Sequence, residues 1–403
     1  MRTICGFTGS RADYGPLLSV FQAIDRDPDV DLKLLVSGGH LVPEQGRTIE
    51  QVQSDGFSVS EQVEVVVAGD TSSSAAKSFG LGAISYADSL SRLRPDILLL
   101  LGDRYEALAV AVVAALQLIP IAHIGGGEIT TGSTDDWCRH AITKLAHIHF
   151  TSTEEFRQRV IQMGENPIMV HNTGAPALDL LRQMRLLDRS QVGDMLQVDL
   201  EKPVIVVTYH PATADPEGSR KGLLGLLDAL DRLPGATIVF TRTNVDQGGA
   251  EIAALIDSYV RDKPAKLLGS LGQEFYLSLV QCAAMVVGNS SSGIYEAPAL
   301  GTPTVNIGSR QEGRPRVRSI FDCSEDVDEI ERAIRGALEY SRSSLAGPAV
   351  SPYGDGHAAE RIVRVLKEVD LRRTLPKRFH TLNRSNGYQL GRAAIPTDSP
   401  GGQ

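Results

Sequence analysis

Ile97-Leu98-Leu99-Leu100-Leu101-Gly102-Asp103-Arg104-Tyr105-Glu106 is the stretch whose reading sets the fold class. An apolar run from Ile97 to Leu101 with no polar interruption marks a parallel strand covered on both faces, because a strand with one wet face alternates. Helix-like Ala107–Leu116 follows, then strand-like Pro120–Ile124. On the N-terminal side lie a strand over Thr3–Thr8, a helix over Gly15–Asp25 and a strand over Asp31–Val36. On the C-terminal side a glycine-rich loop leads to a helix over Asp136–His147 and strands over His149–Ser152 and Met169–Asn172. This alternation predicts a doubly wound, Rossmann-like α/β sheet.

The second half repeats the style. Val204–Thr208, Thr237–Thr241, Met285–Gly288 and Thr304–Ile307 read as strands, with helices over Leu223–Leu233, Gln247–Val260 and Glu274–Ala283. A chain of 403 residues suits two such domains. The expected division is 1–180 for the first and 181–360 for the second, with a boundary within Pro176–Pro203. A helix over 361–385 and a disordered tail over 386–403, rich in Pro, Ser and Gly, complete the expectation. Ligands of such folds bind in a cleft at the carboxyl ends of the strands.

Bulk composition excludes several classes. A net charge of -9, without any long basic run, argues against nucleic acid; Arg310, Arg314, Arg316 and Arg318 are only a local cluster. No apolar stretch reaches membrane length. Cys5, Cys138, Cys282 and Cys323 form no CxxC pair and the N-terminus carries no charged-then-apolar leader, so a reducing cytoplasm is expected. No HExxH or Cys/His cluster is present, so neither metal nor cofactor is expected. His147 and His149 alternate on a strand, where packing is the ordinary role.

Four loops carry the chemistry, each after a predicted strand. Thr8-Gly9-Ser10-Arg11-Ala12-Asp13-Tyr14-Gly15 offers backbone N–H groups and the Arg11 guanidinium to an anion; an ordinary strand–helix turn is the plainer alternative. Gly102-Asp103-Arg104 places a carboxylate at a strand end, as a base or as a helix cap. Residues 123–140 run from His123 through Gly125-Gly126-Gly127-Glu128 to Asp135, Asp136 and Arg139. Grouped carboxylates push each other's pKa values apart and can supply one acid and one base. Gly288-Asn289-Ser290-Ser291-Ser292-Gly293-Ile294-Tyr295-Glu296 can cradle a pyrophosphate on backbone N–H groups and hydroxyls, with Glu296 facing ribose hydroxyls. His210, in Thr208-Tyr209-His210-Pro211, ends another strand opposite the first-half loops.

These loops in this order resemble the UDP-N-acetylglucosamine 2-epimerase family, and within it the hydrolysing branch. The resemblance runs from Met1 to about Leu382. It rests on Thr8–Gly15, Gly102–Glu106, His123–His140, Thr208–Thr213, Leu271–Tyr276, Gly288–Pro298 and Asn306–Cys323. It implies two domains of the glycosyltransferase-B type, with a C-terminal helix crossing back onto the first. It implies UDP held by the second domain, the sugar in the cleft, and a homodimer or homotetramer. Arg11, His210, Ser290, Ser291 and Glu296 match nucleotide-contacting positions, with Ser292 and Gly293 in the same turn and Arg314 as a further phosphate contact. Asp103 and Asp135 match catalytic carboxylates. Many relatives carry a glutamate two residues after the loop histidine; this chain has Gly125 there, and Glu128 is the nearest carboxylate. Thr208–Thr213 and Thr241-Arg242-Thr243-Asn244 replace the His-Arg-Arg-Glu and His-x-Asn-Pro stretches of non-hydrolysing relatives, which favours hydrolysis. The resemblance therefore implies conversion of UDP-N-acetylglucosamine to N-acetylmannosamine and UDP. UDP- or GDP-N,N'-diacetylbacillosamine is the alternative substrate.

Overall fold

The computed structural model describes residues 1–382 except 44, 45, 70, 132, 199, 213, 214, 234, 243–247, 270, 271 and 344. Thr213, Thr243, Asn244, Gln247, Leu271 and the tail over 386–403 lie outside the described residues. Among the described residues no helix is long and apolar enough to cross a membrane.

The first sheet contains β1 (Arg2–Thr8), β2 (Val30–Ser37), β3 (Val59–Val63), β4 (Ile97–Leu101), β5 (Ile121–Ile124), β6 (Ile148–Thr151) and β7 (Val170–Asn172). The second contains β8 (Val204–Thr208), β9 (Thr237–Thr241), β10 (Ala265–Leu268), β11 (Met285–Gly288), β12 (Thr304–Ile307) and β13 (Ile320–Cys323). Their orders are β3-β2-β1-β4-β5-β6-β7 and β10-β9-β8-β11-β12-β13. Every pairing is parallel. The continuous apolar runs follow from this. Ile97 and Leu99 join one core, whereas Leu98 and Leu100 join the core on the opposite face. Ile205 and Val207 divide from Val204 and Val206 in the same way in the second sheet.

Strand order reverses between β1 and β4 in the first sheet and between β8 and β11 in the second. Loops diverge at such switch points and leave a crevice at the strand carboxyl ends. The Thr8–Gly15 and Gly102–Glu106 loops flank the first switch point, and Tyr209–Pro211 and Asn289–Ser292 flank the second.

The helix over Ala358–Glu368 buries Ala358, Ala359, Ile362, Val363 and Leu366 in the core of the first sheet. Asp179 accepts from the N–H groups of Ala358 and Ala359 at 2.9 and 2.6 Å, so a carboxylate holds the positive end of that helix. The chain beyond it stays on the first sheet. Lys377 donates to Lys144 O at 2.6 Å, at the end of the helix Asp135–Leu145, and pairs with buried Glu165 at 2.8 Å. Glu165 also accepts from Lys144 and from His149, which is fully buried.

Burial alone raises the Glu165 carboxyl, but hydrogen bonds from His149, Lys144 and Lys377 outweigh it and hold the group at about 2. A carboxylate depressed in this way stabilises the fold above its unfolded value near ~4.3, and the contribution disappears as pH falls through the folded value. Glu165→Gln is expected to cost about 2–3 kcal/mol at pH 7. The gap from the parent should narrow below about pH 4 and close near the folded value of about 2, as read from urea midpoints at stepped pH.

Candidate active site

The first-half side of the crevice is organised by carboxylates. The backbone N–H groups of Gly9 and Ser10 both donate to Asp13, at 2.8 Å each, and Tyr14 N–H donates to it at 3.1 Å. The sequence reading offered these N–H groups to a ligand anion. The structure spends them on Asp13, because a buried donor needs a partner. Arg11 stands exposed at the first turn of the helix Arg11–Asp25.

Asp103 follows β4 and is ion-paired with Arg139 Nη2. Burial disfavours the Asp103 charge, yet Arg139, with Arg314 and Arg104, overcomes it and keeps the carboxyl below its usual range. His123, fully buried on β5, donates from Nε2 to Gly102 O at 2.8 Å and accepts on Nδ1 from Thr143 Oγ1 at 3.2 Å. Burial pushes its imidazole down to about 3, so it stays neutral and acts as a brace beneath the Asp103 loop.

Glu128 is 7% exposed. Ser152 Oγ donates to its Oε1 at 3.3 Å, while Arg314 donates to its Oε2 from Nη2 at 2.7 Å and from Nε at 3.2 Å. Gly127 is held at φ +81°, and a Cβ there would lie 2.4 Å from Phe156 O; only glycine fits that approach. At Gly125 a Cβ would lie 3.8 Å from Glu128 Oε1. Glu128 thus reaches the space that a side chain at 125 would enter. Asp135 begins the helix Asp135–Leu145 and is half-buried, and Asp136 accepts from Thr130 N–H at 2.7 Å.

The second-half side is built on β8 and β11. His210 N–H donates to Asn289 Oδ1, and Asn289 Nδ2 donates back to His210 O, both at 2.8 Å. This reciprocal amide clamp ties the two strand ends together. Gly288 sits at φ +138°, where a Cβ would lie 2.0 Å from Thr208 O, so the strands meet with no room for a side chain. Ser290 and Ser292 are half-buried, Ser291 is exposed and Gly293 is buried, at the turn opening the helix Ser292–Ala299. Glu296 lies within that helix, and burial raises its carboxyl above the usual range. Asn289→Ala removes both arms of the clamp. It should cost about 1–3 kcal/mol, as a buried N–H and C=O lose their partners, as measured by thermal unfolding.

Sequence reading expected Arg314 on phosphate, whereas the structure places it on Glu128, with its other arm on Gln311 Oε1. Arg310 is the cation at the β11 turn, donating to Asn289 O at 3.0 Å. Gln311 Nε2 donates to the same carbonyl at 2.8 Å. Two further residues were missed, Arg139 and Asn289. Both stand inside the motifs above, but Asp103 on Arg139 and His210 on Asn289 are remote in sequence. A continuous set of contacts therefore runs from Asn289 through Gln311, Arg314 and Glu128 to Arg139 and Asp103. Among the described residues no group of three or more His, Cys, Asp or Glu side chains could hold a metal ion.

Residues 22–367 match the family model described as UDP-N-acetylglucosamine 2-epimerase. The chain is 36% identical over 334 residues to the GDP/UDP-N,N'-diacetylbacillosamine 2-epimerase (hydrolyzing) of Campylobacter jejuni, covering 82% of this chain and 86% of that one. It is 32% identical to the UDP-N,N'-diacetylbacillosamine 2-epimerase (hydrolyzing) of Legionella pneumophila, covering 96% of this chain and all of that one (100%). The fold is similar to the crystal structure of the UDP-GlcNAc 2-epimerase from Neisseria meningitidis bound to UDP-GlcNAc. That match has a TM-score of 0.77 at 19% identity and covers 91% of this chain and 99% of the other.

Proposed function

The chain belongs to the UDP-N-acetylglucosamine 2-epimerase family, and from that premise we propose that it is a hydrolysing 2-epimerase of a nucleoside-diphosphate 2-acetamido sugar, with UDP- or GDP-N,N'-diacetylbacillosamine as substrate. The Campylobacter and Legionella relatives favour this sugar over UDP-N-acetylglucosamine, which the motifs alone had put first. The observation that carries the reading is the ion pair of Glu128 with Arg314, at 2.7 Å. It joins a carboxylate cluster on the first sheet to the loop after β12 on the second, which Gln311 ties to the turn after β11.

In this reading the C1–oxygen bond breaks and the nucleoside diphosphate leaves as an anion. Arg11, Arg310, His210 and the backbone at Ser290–Gly293 stabilise that charge. A carboxylate takes the C2 proton, giving a 2-acetamidoglycal. Water then adds its oxygen at C1, and a second group delivers a proton to C2 on the opposite face. Asp103, Glu128 and Asp135 share the proton transfers. Asp103, kept ionised by Arg139, is held in the form that can accept a proton. The hydrogen leaves as a proton, so the chemistry calls for no redox group.

The test is turnover in deuterated water with UDP- and GDP-N,N'-diacetylbacillosamine and UDP-N-acetylglucosamine, followed by identification of sugar and nucleotide. The expected result is free nucleoside diphosphate and a C2-inverted free sugar with deuterium at C2. Product with no deuterium at C2 would sink the mechanism. An inverted sugar still attached to its nucleotide would instead mark a non-hydrolysing enzyme.

A further inference from the structure

Arg139 is 2% exposed, on the second turn of the helix Asp135–Leu145. A guanidinium is always charged, and its burial is tolerated only where acceptors satisfy its fork. Here they come from every segment that brings a carboxylate to the crevice. Nη2 is paired with Asp103 on the β4 loop. Nη1 donates to Glu128 O at 3.0 Å and to Thr130 Oγ1 at 3.1 Å, both on the β5 loop. Nη1 also reaches Asp136 Oδ1 at 3.1 Å, on the helix that begins with Asp135. One planar group therefore sets the relative places of the β4 loop, the β5 loop and the helix start.

The fork acts on the backbone as well as on charge. The main chain of Glu128 is gripped by Arg139, and its side chain is gripped from the other side by Arg314. Asp136 is shared between Arg139 and Thr130 N–H, so the helix start and the glycine loop close on each other. Lys at this position would supply charge but not a planar fork with several fixed directions.

We propose that Arg139 is the positioning residue of the reaction: it touches no reacting atom but holds the β4 loop, the β5 loop and the helix start in register, so that Asp103, Glu128 and Asp135 present themselves together to the sugar. This rests on the epimerase reading. Misplacing a catalytic group by about an ångström costs on the order of 10²-fold in rate. The loss should therefore fall on kcat, with little change in KM or in the affinity for UDP, whose proposed contacts lie mainly on the other sheet.

The experiment compares the full chain with Arg139→Lys, Arg139→Gln and Thr130→Val, the last deleting one acceptor of the fork at near-constant volume. For each, kcat, KM and the pH profile of kcat/KM are measured, beside thermal unfolding and UDP titration on the same preparation. Arg139→Lys should remain folded, bind UDP within about threefold of the parent, and lose about 10- to 100-fold in kcat. Thr130→Val should lose less, in the same parameter. Arg139→Gln should also move the acidic limb of kcat/KM to higher pH, because Asp103 loses its counter-charge. Folded Arg139→Lys with parental kcat and an unmoved acidic limb would overturn the role, leaving Arg139 as structural support only. If Arg139→Gln fails to fold, Arg139→Lys and Thr130→Val decide the matter by the same readouts. A parent chain that turned over none of the three nucleotide sugars would sink the epimerase reading and this inference together; an active parent with unaffected variants removes only the inference.

Discussion

Asp103→Asn is expected to lower kcat by about 10²–10⁴-fold, the range for loss of a positioned proton-transfer group, while UDP affinity stays near the parental value. The separation follows from the architecture. Asp103 belongs to the loop after β4, whereas the turn expected to grip the diphosphate follows β11 on the other sheet. Asparagine keeps an acceptor oxygen for Arg139 but removes both the proton acceptor and the charge facing a buried guanidinium. Some stability is lost as well, on the order of 1–3 kcal/mol. The measurement is steady-state release of nucleoside diphosphate beside a UDP titration. Near-parental turnover would remove Asp103 from the chemistry and return it to the plainer role of loop support.

Glu128→Gln should be comparably severe, at about 10²–10³-fold in kcat. Its amide can still accept a hydrogen bond from Arg314, so the contact between the halves persists in weaker form, at a stability cost on the order of 1–3 kcal/mol like that of Asp103→Asn. The useful readout is what accumulates. Free 2-acetamidoglycal would place Glu128 in the hydration step, and release of neither nucleotide nor glycal would place it in elimination. Unimpaired turnover would exclude it from both. The position has a structural reason to matter, since a side chain at 125 would start 3.8 Å from Glu128 Oε1. A glutamate set three residues later along a tight glycine turn thus serves the same space.

Two features of the fold were differently legible. Interior strands β4, β8 and β11 could be read directly, because a strand sealed on both faces is apolar along nearly its whole length. Three of the four edge strands could not, β7 being the exception. β3 is Val-Ser-Glu-Gln-Val, and β10 and β13 contain Lys266 and Asp322. Each lies at the rim of its sheet, where polar side chains reach water and the apolar run dissolves. The helix Asp135–Leu145 was recognised within one or two residues, as was the start of β8.

The sequence by itself determined the α/β class and which loops, with which residue types, are the candidates for the site, because strand periodicity and short turn motifs are local properties of the chain. Only the tertiary structure decided who answers whom. Asp103 meets Arg139 at a separation of 36 residues, and Glu128 meets Arg314 at 186. The same chain order is compatible with Arg314 on phosphate or on Glu128, with the Gly9 and Ser10 N–H groups open to a ligand or closed on Asp13. In the structure Arg314 meets Glu128 and the two N–H groups meet Asp13, because a charge or N–H group withdrawn from water takes whichever partner the packing of distant segments brings within reach.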